Sequence, residues 1–194
     1  MTKLAALTAI THSIIHELNV TVKSIPEDDI EQLIDQIAAA KRIFVAGAGR
    51  SGLMMRAFAM RLMHSGLQVH VVGDTTTPGL EADDLLIIGS GSGETGSLVN
   101  MASKAKKLNA QVAIATVRPE STIGKLADTV ILVPAAAKEG STGSGAGSGI
   151  TTIQPMGSLF EQSLLLLFDA IVLRYMERMN IDAAAMFGRH ANLE

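Results

Sequence analysis

Two glycine-rich turns, each placed directly after a short apolar run, constrain this chain more than any other feature. Arg42–Ala46 (RIFVA) leads into Gly47–Gly52, and Asp84–Ile88 (DLLII) leads into Gly89–Gly96. Each short apolar run is a candidate strand. Helical segments follow each turn, from Leu53 to about Ser65 and over Ser97–Leu108. Gln68–Val72, Gln111–Thr116 and Thr129–Val133 supply three more runs, making five strands. Strands that alternate with helices pair in parallel, because each crossover carries the chain back over the sheet. The expected fold is α/β: a doubly wound, five-stranded parallel sheet flanked by helices, with further helices at both ends.

Those terminal helices have their own signals. Leu4, Leu7, Ile10, Ile14, Ile15, Leu18 and Val22 recur at three- and four-residue spacing. Pro26 with Glu27, Asp28 and Asp29 reads as the start of a second helix, with acids set against the dipole of the first turn. Ile30, Leu33, Ile34 and Ile37 give that helix its apolar stripe. From Ser158 to about Met179 runs one long, strongly apolar helix; Asp182–Phe187 is a short helical turn stopped by Gly188. Ser141–Gly149 (STGSGAGSG) is low in complexity and is expected to be a mobile flap or crossover. The expected organisation is one domain over 1–194: N-terminal helices 1–40, α/β core 41–135, flexible loop 136–157, and C-terminal helix and tail 158–194.

Composition removes several classes of function. With 47% hydrophobic and 18% charged residues over 194 positions, the chain can bury a core. Sixteen Lys+Arg against 19 Asp+Glu leave a net charge of −3, which argues against a general nucleic-acid binder. There is no cysteine, so disulfides, thiolate nucleophiles and Cys-ligated metals are excluded. Aromatic residues are only 3% and Trp is absent, so base-stacking platforms are not expected. Met1–Leu18 lacks the pattern of a secretory signal, and the longest apolar run, Leu164–Phe168, is far shorter than the ~20 residues of a membrane span. A soluble cytoplasmic protein with no membrane partner is expected.

The first turn, Gly47-Ala-Gly49-Arg-Ser-Gly52, matches G-x-G-x-x-G, and Asp74 follows the second strand where a ribose-binding acid would sit. A tight strand–helix turn with Ser51 as N-cap is the alternative. Either functional reading makes it an anion site, since free N–H groups and the helix dipole favour phosphate. The second turn, Ser90-Gly-Ser-Gly-Glu-Thr95, packs three hydroxyls and two glycines into six residues. Glycines let the backbone approach an oxyanion, and Ser and Thr hydroxyls donate to its remaining oxygens. A dinucleotide enzyme does not need this loop; a small phosphorylated ligand held across strand ends does. Its alternative is a Ser/Gly turn with Ser92 capping the next helix. Glu94 reads as electrostatic capping.

Five segments carry a resemblance: GRS at 49–51, SGSGET at 90–95, Gly73–Pro78 (GDTTTP), Gln154–Gln162 (QPMGSLFEQ) and Gly188–Glu194 (GRHANLE). Together they resemble the sugar isomerase (SIS) domain family, and within it the 6-phospho-3-hexuloisomerase branch, over essentially the whole chain. Asp74 stands where that branch is expected to have Glu, and 141–149 is unusually rich in Gly and Ser. The resemblance implies interconversion of D-arabino-3-hexulose 6-phosphate and fructose 6-phosphate, in the ribulose monophosphate pathway of formaldehyde assimilation. The carbonyl moves between C3 and C2 through a cis-enediol, and one carboxylate can make both proton transfers. The 3-ketose cannot close a five- or six-membered ring, so no ring-opening group is needed for that substrate. A non-catalytic sugar-phosphate sensor and an isomerase of pentose or heptose phosphates are the neighbouring readings; a nucleotide-linked oxidoreductase is the more distant one.

The resemblance assigns roles to particular residues. Ser51, Ser90, Ser92 and Thr95, with Gly49 and Gly91, hold the phosphate. Arg50 pairs with phosphate or a sugar hydroxyl, or is simply exposed. Thr75, Thr76 and Thr77 reach the sugar or only close a turn. Glu161 is the expected base. Its S-x-x-E spacing from Ser158 also fits a capping box, but Leu164, Leu165 and Phe168 share its helix face and favour partial desolvation. His190 is expected to polarise the carbonyl or shuttle a proton, at a site completed by a neighbouring subunit. His12 and His16 stand one helical turn apart, a spacing that also suits metal, but a solvated or interface face is the expected role. His64 and His70 are expected to be structural. The enediol route calls for no cofactor or metal. The partner is a small sugar phosphate, and the chain is expected to form a homo-oligomer, a dimer of dimers.

Overall fold

The computed structural model describes residues 6–136 and 152–193. The element order is α1 (Leu7–Lys23), α2 (Glu27–Ala39), β1 (Ile43–Gly47), α3 (Gly49–His64), β2 (Val69–Val71), β3 (Leu85–Gly89), α4 (Gly96–Lys107), β4 (Gln111–Thr116), α5 (Thr122–Leu126), β5 (Thr129–Leu132), α6 (Ser158–Met179) and α7 (Ala183–Phe187). The Gly/Ser-rich stretch 141–149, expected to be a mobile loop, lies outside the described residues.

All five strands are parallel, in the order β2-β1-β3-β4-β5. The period-2 alternation of a strand divides the core in two. Ile43, Val45, Leu85, Ile87, Ala113, Ala115 and Ile131 face α2, α3 and α6. Phe44, Ala46, Leu86, Ile88, Val112 and Ile114 face α4 and α5. Helices on both faces explain why the strands read as continuous apolar runs rather than alternating ones.

This strand order places a topological switch point between β1 and β3. The chain leaves β1 toward one face and β3 toward the other, which opens a crevice at their C-terminal ends, where such sheets bind ligands. Both glycine-rich turns begin there. At Gly47 and Gly52 the absence of side chains is a packing requirement. A Cβ on Gly52 would stand 2.7 Å from the Gly47 carbonyl oxygen, so α3 could not begin so close to β1.

α3 and α6 run side by side in the same direction. The Phe58 and Phe168 rings stack at 4.1 Å between them, Arg50 meets Glu161 at their first turns, and Val172 and Met176 come together with Arg61 and His64 at their last. At the N-terminal ends of β1 and β3 the buried Asp84 carboxylate accepts from Arg42 at 2.7 and 3.0 Å and from the Glu81 N–H at 2.7 Å. Burial pushes the Asp84 carboxyl up, but the Arg42 and Glu81 donors outweigh it and hold the group below the usual carboxylate range.

The observed strands lie within one residue of the expected ones, and α6 matches its expected span. Helix α3 starts at Gly49, four residues earlier than expected, because Gly49 adopts φ 57° and turns the chain straight into the helix. α5 was not anticipated. Its five residues are too few to show a period; it is capped by Ser121 and by the Glu94 carboxylate. Gly188 ends α7 in the right-handed region, not the left-handed one usual for a glycine stop.

Candidate active site

A cavity of about 460 Å³ occupies the switch-point crevice. Its walls include Gly49, Arg50 and Ser51 from the first turn, and Ser90, Gly91, Ser92 and Thr95 from the second. Met156, Gly157, Phe160 and Glu161 close it from the start of α6, and Val117 and Arg118 from the end of β4. Three helix N-termini thus converge on one space: α3, α4 through its N-cap Thr95, and α6. Each presents the positive end of its dipole, so an anion is favoured there.

The two turns are built differently. Nothing would meet a side chain at Gly49, and Arg50 and Ser51 border solvent. The second turn is fastened on every side. Ser90 N–H donates to the Ala115 carbonyl (3.1 Å), and the Gly91 carbonyl accepts from Val117 N–H and from the Thr116 hydroxyl (both 3.1 Å). Gly93 has φ 63°, and a Cβ there would collide with the Ser121 hydroxyl. Ser90 is buried, and its hydroxyl oxygen accepts from Gly93 N–H at 3.2 Å.

Neither capping alternative for the turns is realised. The N-cap of α3 is Ala48, not Ser51, and that of α4 is Thr95, not Ser92. Ser92 instead accepts from Glu94 N–H within its own turn at 3.2 Å. Glu94 does cap, but it caps α5: its carboxylate accepts from Thr122 N–H at 2.7 Å. Backbone donation from Thr122 is the main reason its carboxyl lies below the usual range.

Glu161 sits on the cavity wall with its side chain 12% exposed. The capping box permitted by S-x-x-E is not formed. Gly157 is the N-cap, and the Ser158 hydroxyl donates to the Pro155 carbonyl at 2.8 Å. The Glu161 carboxylate instead accepts from Arg50 Nη1 at 3.0 Å, and the same nitrogen donates to Ser158 Oγ at 2.9 Å. Leu164 and Phe168 on the Glu161 face are buried and Leu165 is half-buried, as the spacing suggested.

Other candidates lie elsewhere. Thr75, Thr76 and Thr77 follow β2 but do not line the cavity; the Thr77 hydroxyl closes a turn on the Val71 and Asp74 carbonyls at 2.7 and 2.8 Å. Asp74 holds Arg56 of α3 at 2.6 Å. His12 and His16 are both exposed, and among the described residues no cluster of three or more metal-ligating side chains forms. His70 packs on Phe44 at 5.2 Å and His64 is buried, in keeping with structural roles.

His190 is at the other end of the α3–α6 pair. Its ring stacks on His64 at 5.4 Å in a second depression lined by Arg61, Asp169, Leu173 and Phe187. Arg50 and His64 are 14 residues apart on α3, which at the helical rise is ~21 Å. Glu161 and His190 of one chain therefore do not share a site. Sequence reasoning missed Arg118, Phe160 and the Met156–Gly157 turn. Arg118 carried a usable signal, because it follows the C-terminal end of a parallel strand, as both recognised turns do.

The SIS domain family model matches residues 36–166, and the chain belongs to the SIS domain family. Among curated proteins it is similar to 3-hexulose-6-phosphate isomerase of Bacillus subtilis, 52% identical over 181 residues that cover 93% of this chain and 95% of the relative. The Mycobacterium gastri protein of the same name is 45% identical over 90% of this chain and 84% of its own. In structure it resembles a Methanococcus jannaschii protein whose 2.0 Å crystal structure was taken to infer 3-hexulose-6-phosphate isomerase function. The TM-score is 0.82 at 34% identity, covering 96% of this chain and 99% of the other.

Proposed function

We propose that this chain is a sugar phosphate isomerase that interconverts D-arabino-3-hexulose 6-phosphate and fructose 6-phosphate, acting as a single SIS domain. The observation that carries the site assignment is the junction of both serine turns with Glu161 in one cavity. The phosphate lies between Ser51 and the Ser90–Thr95 turn, over the N-termini of α3 and α4, with Arg118 adding positive charge at the rim. That leaves the sugar carbons extending toward α6. Glu161 takes the proton from C3 of fructose 6-phosphate, charge collects on the enediol oxygens, and the same carboxyl returns a proton at C2. Arg50, held between Ser158 and Glu161, orients the carboxylate.

The distance between Glu161 and His190 supports a site completed by a second subunit, whose His190 polarises the carbonyl or moves a proton between O2 and O3. Apolar residues left exposed at heptad spacing, Leu53 with Met60 on α3 and Leu166 with Leu173 on α6, support a homo-oligomer, which we place as a dimer of dimers. Among the described residues no helix is long and apolar enough to cross a membrane; we assign the enzyme to the cytoplasm, in sugar phosphate metabolism linked to formaldehyde assimilation.

The test is solvent exchange. In heavy water with fructose 6-phosphate, the C3 hydrogen is expected to be replaced by deuterium, and Glu161→Gln to slow this at least ~10²-fold. Exchange at the wild-type rate in that variant removes Glu161 from the base role.

A further inference from the structure

The cavity rim at Met156–Gly157 is an unusual piece of backbone. Both residues have positive φ, 63° and 91°, and the first is not a glycine. A left-handed Met is strained and persists only when its surroundings fix it. The segment that leads into this turn is held from α1, more than 130 residues away in sequence. The Glu17 carboxylate accepts three hydrogen bonds from the segment that enters this turn: Thr152 Oγ1 at 2.7 Å, Ile153 N–H at 2.8 Å and Gln154 Nε2 at 2.9 Å. Thr152 Oγ1 in turn accepts from Gln154 N–H at 3.0 Å.

Gln154 records how firmly this contact is specified. Glu17 can only accept, so Gln154 must turn its amide nitrogen toward it. The amide oxygen is then buried with no partner among the described residues. Burial pushes the Glu17 carboxyl up, but donors from Gln154, Thr152 and Ile153 outweigh it and hold the group below the usual carboxylate range.

From this turn the hydrogen bonds continue to the reacting end. The Pro155 carbonyl accepts from Ser158 N–H (3.0 Å) and Ser158 Oγ (2.8 Å); Ser158 Oγ accepts from Arg50, and Arg50 donates to Glu161. We propose that Glu17 is a positioning residue for the isomerase: it clamps 152–154, holds the strained Met156–Gly157 turn, and so sets the first turn of α6 and the Glu161 carboxylate against the sugar carbons. This rests on the assignment of Glu161 as base.

The experiment compares Glu17→Gln, Glu17→Ala and Glu161→Gln with the wild type, using kcat and KM for fructose 6-phosphate, inhibition by inorganic phosphate, and thermal melting. Gln at position 17 has the same shape but one acceptor oxygen for three donors. Small misplacements at a reacting centre are costly, so kcat is expected to fall at least ~10-fold in Glu17→Gln. Phosphate inhibition should stay unchanged, because the Ser90–Thr95 turn is fastened to β4 and α5 and Ser51 is carried by α3, neither through Glu17. The variant should remain folded at assay temperature. An unchanged kcat in Glu17→Gln overturns the inference. So does a loss of kcat matched by equal weakening of phosphate inhibition and a fall in melting temperature, since that marks a general structural role. Failure of Glu17→Ala to fold leaves the isosteric variant to decide. A slow Glu161→Gln beside a fast Glu17→Gln sinks this inference alone; a fast Glu161→Gln sinks the base assignment and this inference with it.

Discussion

The two ends of the α3–α6 pair are made of the same two helices and do opposite things. At their N-termini they meet glycine turns, hydroxyls and an arginine–carboxylate pair, around a cavity in the crevice of the sheet. At their C-termini they meet His64, Arg189 and His190 beside exposed Leu173 and Phe187. Helix polarity explains the division. Parallel helices put both positive dipole ends on one side, which favours an anionic substrate there. The other side carries the tail and an apolar rim, a surface suited to a neighbouring subunit. The comparison teaches that Glu161 and His190 stand at opposite ends of one helix pair, so the proposed site that uses both would have to be built from two chains.

The largest effect expected from disturbing this division is at the cavity end. Glu161→Gln should lower turnover of fructose 6-phosphate by ~10²–10⁴-fold, the range for a general base. Steady-state kinetics check it, and the melting temperature should hardly move because the carboxylate is replaced by an isostere. Between the ends, Phe58→Ala removes the ring stacked on Phe168 and should cost about 3–5 kcal/mol in denaturant unfolding. A loss below about 1 kcal/mol would mean the two helices are not held together there.

At the tail end, His190→Ala should slow turnover by ~10–100-fold while KM for fructose 6-phosphate changes little. Mixing it with Glu161→Gln, two poorly active proteins, should regain activity when subunits exchange. Intact His190 then meets intact Glu161 in some sites. No regain after verified exchange would place both residues in one chain's site and break the comparison. The smallest effect is on pH dependence. Burial pushes the His64 imidazole below its ordinary value, with Arg61 and His190 adding repulsion. The folded form therefore binds its proton less readily than the unfolded chain, whose His titrates near ~6.5. Stability from this group is complete above that value and is lost as pH falls toward the folded-state value. Melting temperature should decline on acidification, and His64→Gln should flatten that decline.

Much of this architecture was legible because it rests on local patterns. Short apolar runs marked Arg42–Ala46 and Asp84–Ile88 as strands, within one residue of β1 and β3, and helical spacing marked α2 and α6. The glycine and serine content singled out the two turns, which the structure brings to one cavity. What escaped depended on partners distant in sequence. The Arg50–Glu161 pair spans 111 residues and the Glu17 clamp 135 to 137, and no local spacing records either. Thr75–Thr77 showed the reverse failure. Their hydroxyls follow a strand end, but β2 is the edge strand beyond β1, one strand away from the switch point. His190 was recognisable as a candidate only through the resemblance of its segment; its position at the far end of α3 was not recorded in that pattern.

The most direct test is a crystal structure of the enzyme with fructose 6-phosphate bound. The account predicts the phosphate between Ser51 and the Ser90–Thr95 turn, with the Glu161 carboxylate beside C2 and C3. A phosphate seated outside that crevice, or a sugar whose C2 and C3 lie out of reach of Glu161, would contradict it.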